Sequence, residues 1–240
     1  MNEGAPLERL SCSYSDRRRF LLLGALLAIL LLACLASVTL GAYRVPLGDV
    51  FRIFWRHLAP HGNEAGAGSV QNTVIWEVRL PRILLAALVG MTLSVAGGVF
   101  QGCFRNPLVD TFILGVASGS AFGAALAIVM PGFFLSLQLS AFVFGALAVT
   151  AAYLVARVRG ETQVVTLVLA GVIIGSVFDA LVAMLQYTAR DAALREIVFW
   201  LMGGFYYSTW KDVAMMAPFA LLGTLFLWGM GWKLNVLSLG

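Results

Sequence analysis

Charged side chains are few in this sequence. Asp, Glu, Lys and Arg make up 12% of its 240 residues while 60% are apolar, and a soluble globule of this size cannot cover its surface with so little polarity. An ordinary water-soluble domain is therefore excluded. Cysteine is also sparse: Cys12, Cys34 and Cys103 share no paired spacing, so neither a disulfide framework nor a thiolate metal site is suggested. The only histidines are His57 and His61, with no carboxylate or cysteine spaced to join them in metal or general-base chemistry. The phosphate-cradling pattern Gly-x-x-x-x-Gly-Lys-Ser/Thr occurs nowhere. No cofactor is expected, no catalytic constellation is visible, and any energy has to come from another polypeptide. The net charge of +4 resides at the ends of apolar runs and not in one stripe, which argues for membrane topology over nucleic-acid binding.

What the chain does have is length of apolar run. About 20 apolar residues cross roughly 30 Å of hydrocarbon. Charge-free intervals extend from Phe20 to Tyr43, Ile83 to Phe104, Thr111 to Ala156, Thr162 to Ala189 with Asp179 as the one exception, and Val213 to Trp232. The third interval holds 46 residues with Pro131-Gly132 near its middle, which reads as two helices and a tight turn. Six spans are predicted, in an all-α, polytopic transmembrane helical bundle. Residues 1–19 read as a cytoplasmic tail, polar and disordered over 1–16, and residues 20–240 as the membrane domain.

Orientation follows from the arginines. Arg17-Arg18-Arg19 abuts a first run of 24 uncharged residues, too long for a signal-peptide core, so an uncleaved helix with its N-terminus inside is expected. Arg105, Arg157, Arg159 and Lys233 then fall on the same, cytoplasmic side. The segment 43–82 breaks the rule: placed outside, it carries Arg44, Arg52, Arg56, Arg79 and Arg82 against Asp49, Glu64 and Glu77. Within it, Val45 to His57 has the spacing of an amphipathic helix lying on the outer interface. The positive excess suggests an acidic partner outside the membrane. A second short interfacial helix is expected over Asp191–Ile197, followed by a cluster of aromatic residues.

The organising stretch is Trp76 to Gly123. Gly90, Ser94, Gly98 and Gly102 recur every fourth residue in the second span, and Gly115, Gly119 and Gly123 repeat the device in the third. Such faces let another helix backbone approach closely, and Gly171 and Gly175 in the fifth span are assigned the same packing role. Asp179 is the one carboxylate well inside a span. It is placed in the outer third of the membrane, where an acid faces either a substrate vestibule or a structural partner. Gln101 and Asn106 are expected to satisfy free backbone groups at a helix end.

Taken in order, Arg79-Leu80-Pro81-Arg82, the glycine stripe closing on Gln101, Asn106-Pro107-Leu108, Leu114-Gly115-Val116, Leu169-Ala170-Gly171, the Trp200–Gly204 run and the terminal Leu234-Asn235-Val236-Leu237-Ser238-Leu239-Gly240 resemble the FecCD-type permease subunits of ABC importers for iron siderophores, haem and vitamin B12. Val109-Asp110-Thr111 stands where family members usually carry a proline. The resemblance implies a ten-helix fold of which this chain holds six, incomplete at the C-terminus, either as a fragment or as a truncated product. It implies as partners a second permease copy, two ATPase subunits, a periplasmic or lipid-anchored solute-binding protein and membrane lipid, with no nucleic acid, in the cell inner membrane. It implies that Arg79 and Arg82 dock on glutamates of the binding protein, with headgroup snorkelling as the alternative. It also implies a cytoplasmic gate near Thr162, Val164, Val165 and Thr166, with helix-end packing as the alternative. From other classes, a secondary transporter or channel subunit and a non-transporting remnant stay open.

Overall fold

The computed structural model describes residues 5–41, 43, 45–58, 70–130, 132, 135–157 and 164–239. Among these every regular element is helical: α1 (Ala5–Thr39), α2 (Leu47–Leu58), α3 (Val70–Asn72), a π-helical stretch (Thr73–Arg79), α4 (Leu80–Phe104), α5 (Val116–Val129), α6 (Leu137–Ala156), α7 (Val164–Thr188), α8 (Asp191–Met202), α9 (Trp210–Gly229) and α10 (Gly231–Leu239). The chain divides into two compact units. One runs to Ala87 and takes in Tyr207–Ala217; the other comprises Leu88–Tyr206 and the residues from Pro218 onward.

Among the described residues five helices are long and apolar enough to cross a membrane, where six were expected. The sixth candidate, α5, has 14 residues, about 21 Å at 1.5 Å per residue. It starts five residues later than the apolar run because Thr111–Leu114 form turns. The Phe112 amide donates to the Asp110 side chain there, an Asx-type turn that competes with helix. Other boundaries also differ from expectation. Helix α1 begins at Ala5, inside the stretch read as disordered; Pro6 falls in its first turn, where the missing N–H would be unpaired anyway. Helix α8 continues to Met202 and stops at Gly203, whose φ of 72° few other residues adopt. Helix α9 begins at Trp210 and not at Val213, because Asp212 accepts hydrogen bonds from both the amide and the hydroxyl of Thr209 at 2.8 Å, a closed first turn.

In the first unit Val38, Val45, Val50, Ile53 and Ile75 form a buried cluster with Phe54 and Ile83 packed against it. It joins the end of α1 to the inner face of α2 and to the π-helical stretch. The opposite face of α2 exposes Phe51 and Trp55, as an interfacial helix does. At its start Asp49 pairs with Arg52 at 3.3 Å and accepts from Gln71 at 3.5 Å.

In the second unit α5, α6 and α7 pack on one another through small residues. A Cβ built at Gly119 would lie 2.6 Å from the Phe144 carbonyl oxygen, and one at Gly123 would lie 2.4 Å from that of Ser140. Gly145 returns the arrangement from α6, where an added methyl would fall 2.4 Å from Ser120 Oγ. Gly171 on α7 sits under the turn before α5, 2.3 Å from the Ile113 carbonyl oxygen by the same construction. Gly115, with φ 75°, rests on the Gly171–Gly175 backbone. Without a hydrophobic difference between lipid and side chain, this close backbone approach is what holds membrane helices together.

The α4 stripe behaves differently. A Cβ at Gly90, Gly98 or Gly102 would meet nothing within 4 Å, and the Ser94 hydroxyl bonds only its own helix, donating to the Gly90 carbonyl at 2.7 Å. Among the described residues no helix lies close against this face at Gly90, Gly98 or Gly102. Four-residue spacing announces that a close approach is possible, and the partner has to be supplied by the rest of the fold.

Candidate functional site

The outer arginine motif lies in a distorted piece of helix. Helix is continuous from Val70 through Phe104, so Pro81 is internal to it. An internal proline has no N–H to give and its ring collides with a carbonyl of the turn before it. The chain responds by widening: Thr73–Arg79 is π-helical, and the Leu80 amide bonds the Ile75 carbonyl five residues back. In that register the Trp76 carbonyl would look to residue 81 for a donor and finds proline. It is met instead by the Trp210 indole, whose Nε1–H donates at 2.9 Å. Trp76 also stacks on His57, with centroids 3.8 Å apart and planes 15° from parallel, and meets Phe54 edge-on at 6.2 Å. His57 is fixed in turn by Nδ1–H donating to the Ile53 carbonyl at 3.0 Å.

Arg79 closes the π-helical stretch. Its guanidinium donates to the carbonyl of Val38, in the last turn of α1, and to that of Tyr43 just beyond. A cation at a helix C-terminus satisfies carbonyls that have no intrahelical partner and complements the dipole there. Gly41 makes room, since a Cβ there would fall 2.6 Å from Nη2 of Arg79. The side chain proposed from the sequence for docking is therefore committed to a contact within its own unit. Arg82, three residues on, is half-buried.

In the second unit Asp179 opens into a cleft of about 390 Å³. Helix α5 contributes Ala117, Ser118, Ser120 and Ala121, and α8 contributes Trp200 and Leu201. The sequence singled out Asp179 but not the serines or Trp200. Ser118 and Ser120 are hidden in a run of small residues whose evident purpose is packing, and Trp200 reads as an interfacial aromatic. Among the described residues the carboxylate has no hydrogen-bond or ion-pair partner, and no lysine or arginine lines the cleft. Asp179 is exposed at this cleft and is not packed among the described residues.

At the other end of the same unit Cys103, Phe104, Arg105 and Val164 line a second cleft of about 360 Å³. Thr162 lies outside the described residues. Val164 and Val165 are exposed at the start of α7, Val165 at 77%, and Thr166 is half-buried. Gln101 and Asn106 build the adjoining turn: Gln101 Nε2 donates to the Val109 carbonyl at 3.4 Å, and Asn106 Oδ1 accepts from the Leu108 amide at 3.0 Å. They join with Val109, which is buried, to fold the exit from α4 back on itself. Their role is structural in this arrangement.

Helices of this length and apolarity, joined by short turns and packed through glycine, define a multi-pass membrane protein. Residues 29–240 match the model of the FecCD transport family, and the chain belongs to that family. It is 37% identical over 220 residues to a molybdate import system permease protein of Haemophilus influenzae, covering 91% of this chain and 64% of that protein. A hemin transport system permease protein of Yersinia pestis is 34% identical over 235 residues, 92% of this chain and 64% of its own length. A cobalamin import system permease protein of Halobacterium salinarum is 35% identical over 176 residues, 73% and 47% of the two chains. A solved inward-facing structure assigned to a metal-chelate type ABC transporter superposes with a TM-score of 0.74 at 37% identity, covering 91% of this chain and 65% of the other. The chain thus spans between about half and two thirds of the length of these relatives.

Proposed function

We propose that this chain forms the greater part of a membrane-spanning permease subunit of an ABC importer. The supporting observation is that nearly the whole chain matches a transport family whose relatives are named for import of molybdate, hemin and cobalamin. Its cargo is an iron-siderophore, haem or cobalamin complex handed over by a solute-binding protein outside the inner membrane. Two separate ATPase subunits hydrolyse the nucleotide, and a second permease copy completes the pathway. The N-terminus lies in the cytoplasm.

The arginine motif divides its labour under this reading. Arg79 holds the end of α1, and Arg82 on the same stretch of helix meets a carboxylate of the binding protein, which suits the fork geometry of a guanidinium. Asp179 lies on the cargo path, and Thr162, Val164, Val165 and Thr166 belong to the inner gate. The glycines of α5 and α7 hold the helices that carry both features.

The test is biochemical. The tagged protein, expressed with its neighbouring genes, co-purifies with an ATPase subunit, and proteoliposomes of the complex take up an iron chelate, haem or cobalamin only with ATP inside or outside as orientation requires. Uptake that follows an ion gradient in the absence of ATP would overturn the reading in favour of a secondary transporter.

A further inference from the structure

We propose that α2 is a lipid-bound helix, with Leu47, Phe51 and Trp55 forming a stripe that enters the headgroup and upper acyl layer of the bilayer on whichever side α1 ends. This requires α1 and α4 to be membrane spans and is independent of cargo, ATPase and binding protein.

Helix α2 has three faces, where a surface helix ordinarily has two. At about 100° per residue, Val50, Ile53 and His57 share one sector. Val50 and Ile53 retain 4% and 6% of their accessible surface, packed with Val38 and Ile75, and His57 stacks on Trp76. Asp49 and Arg52 occupy a second sector and pair with each other, as suits a face in water. Leu47, Phe51 and Trp55 recur every fourth residue between these two sectors and spread over about 80° of arc. Phe51 and Trp55 are 66% and 77% exposed. The apolar arc of α2 is thus about twice as wide as the part its protein contact uses.

The seat of the helix says what covers the outer half. The span Arg17–Thr39 holds 23 residues, about 35 Å of helix against roughly 30 Å of hydrocarbon. Val38 in its last turn therefore lies at the edge of the hydrocarbon, and α2 packs on Val38. Ile75, on the other side of the same cluster, belongs to the start of the next span. Leu40 and Tyr43, between α1 and α2, are exposed as well, so the apolar surface that α1 turns to lipid runs on along the chain into Leu47. At that level lipid rewards the burial of leucine and phenylalanine. An acidic protein partner would seek cations, and Arg52 stands on a different sector. Trp55 is the member of the stripe nearest to Asp49 and Arg52, which fits an indole whose N–H edge stays among headgroups.

The test uses the whole chain, with Cys12, Cys34 and Cys103 replaced by serine, in phosphatidylcholine nanodiscs. A nitroxide is attached in turn to Leu47→Cys, Phe51→Cys and Arg52→Cys. Electron paramagnetic resonance then compares its collisions with oxygen, which concentrates in the acyl layer, and with a neutral nickel chelate, which stays in water. Labels at 47 and 51 favour oxygen over nickel at least threefold more than the label at 52. A label at 51 as open to nickel as that at 52 would place the stripe in water and overturn the proposal. A label at 51 shielded from both reagents would show that protein covers the stripe, a second copy or another chain, and would overturn it equally. A second measurement leaves positions 47 and 51 intact. The tryptophan emission that Trp55→Phe removes is quenched by at least half in wild type when the lipid carries bromine high on its acyl chains. An unquenched Trp55 component would overturn the proposal even if the labelled variants fold poorly. Neither measurement involves ATP-driven uptake, so failure here leaves the importer reading untouched, and the reverse holds too.

Discussion

Trp210 and Trp76 are joined across 134 residues of sequence by one hydrogen bond, the indole Nε1–H of the first donating to the backbone carbonyl of the second at 2.9 Å. The rings lie 5.5 Å apart at 41°. The bond exists because Pro81 removes the donor that a π-helical register would offer to that carbonyl, so proline and tryptophan form a matched pair.

Trp210→Phe keeps most of the ring contact and removes the donor. It lowers stability by about 1–2 kcal/mol, the range for leaving a sequestered backbone acceptor unpaired. Pro81→Ala restores an N–H at position 81 and lessens the effect of Trp210→Phe, giving a coupling of about 0.5–1 kcal/mol in a double-mutant cycle. Thermal unfolding in detergent measures both. Strict additivity of the two substitutions would show that Pro81 is not the reason for the bond.

Arg79 as a helix-end cation gives a second prediction. Arg79→Ala frees the Val38 and Tyr43 carbonyls and destabilises the first unit by about 1–3 kcal/mol. Arg79→Lys recovers only part, because one ammonium does not reproduce the guanidinium fork that reaches both oxygens. Protease sensitivity between α1 and α2 rises in the same order. In the assembled transporter Arg82→Glu leaves that sensitivity unchanged and weakens binding-protein capture. If Arg79→Ala instead left the α1–α2 connection as protected as wild type and abolished capture, the two roles would have to be exchanged.

The glycines fall into two groups that substitution separates. Gly123→Ala and Gly171→Ala drive a methyl to within 2.4 and 2.3 Å of a backbone carbonyl oxygen, and backbone cannot step aside as a side-chain tip can. Each is expected to cost about 1–3 kcal/mol, the range for overpacking. Gly90→Ala and Gly98→Ala meet open space and stay within about 0.5 kcal/mol in this chain. Melting temperatures of the four variants decide. Comparable losses at Gly90 and Gly171 would mean that α4 has a neighbour as close as that of α7.

That division also marks how far the sequence could be read. Apolar run length announced an all-helical membrane protein and located α4, α6, α7, α9 and the Arg17–Thr39 part of α1 to within a few residues, because the hydrocarbon thickness sets one length for all of them. Glycine spacing identified surfaces capable of close approach on α4, α5 and α7 alike, and spacing contains nothing about which surface is given a partner. The helix α5 was expected but its late start was not, because Asp110 and Gly115 shape a turn at the head of an apolar run, where hydropathy is blind. Asp179 stood out as an isolated acid, but its cleft is completed by Ser118 on α5 and Trp200 on α8, residues that look like packing and interface until tertiary structure brings them together. The π-helical stretch was invisible for a similar reason: Pro81 reads as a helix start unless Trp210, far along the chain, is known to stand beside Trp76.

Orientation is the remaining prediction, and cysteine chemistry reaches it. Cys103 is exposed at the inner end of α4 as that helix is oriented by the arginines, and Cys34 is half-buried within α1. Trp55 is exposed on α2, which the same rule places outside. In a background with Cys12 and Cys34 replaced by serine, a membrane-impermeant maleimide added to right-side-out vesicles leaves Cys103 unlabelled, and Trp55→Cys with Cys103→Ser is labelled fully. Inside-out vesicles reverse the pattern. The arginine excess in segment 43–82 makes this a demanding case for the positive-inside rule, since five arginines would have to be held on the side the rule disfavours. Part of that excess is already accounted for: Arg79 is tied to carbonyls and Arg52 to Asp49, so neither acts as a free cation in the choice of side. Labelling of positions 55 and 103 from one and the same side would show that these ties are not enough, and would invert every assignment of outer and inner face made for this chain.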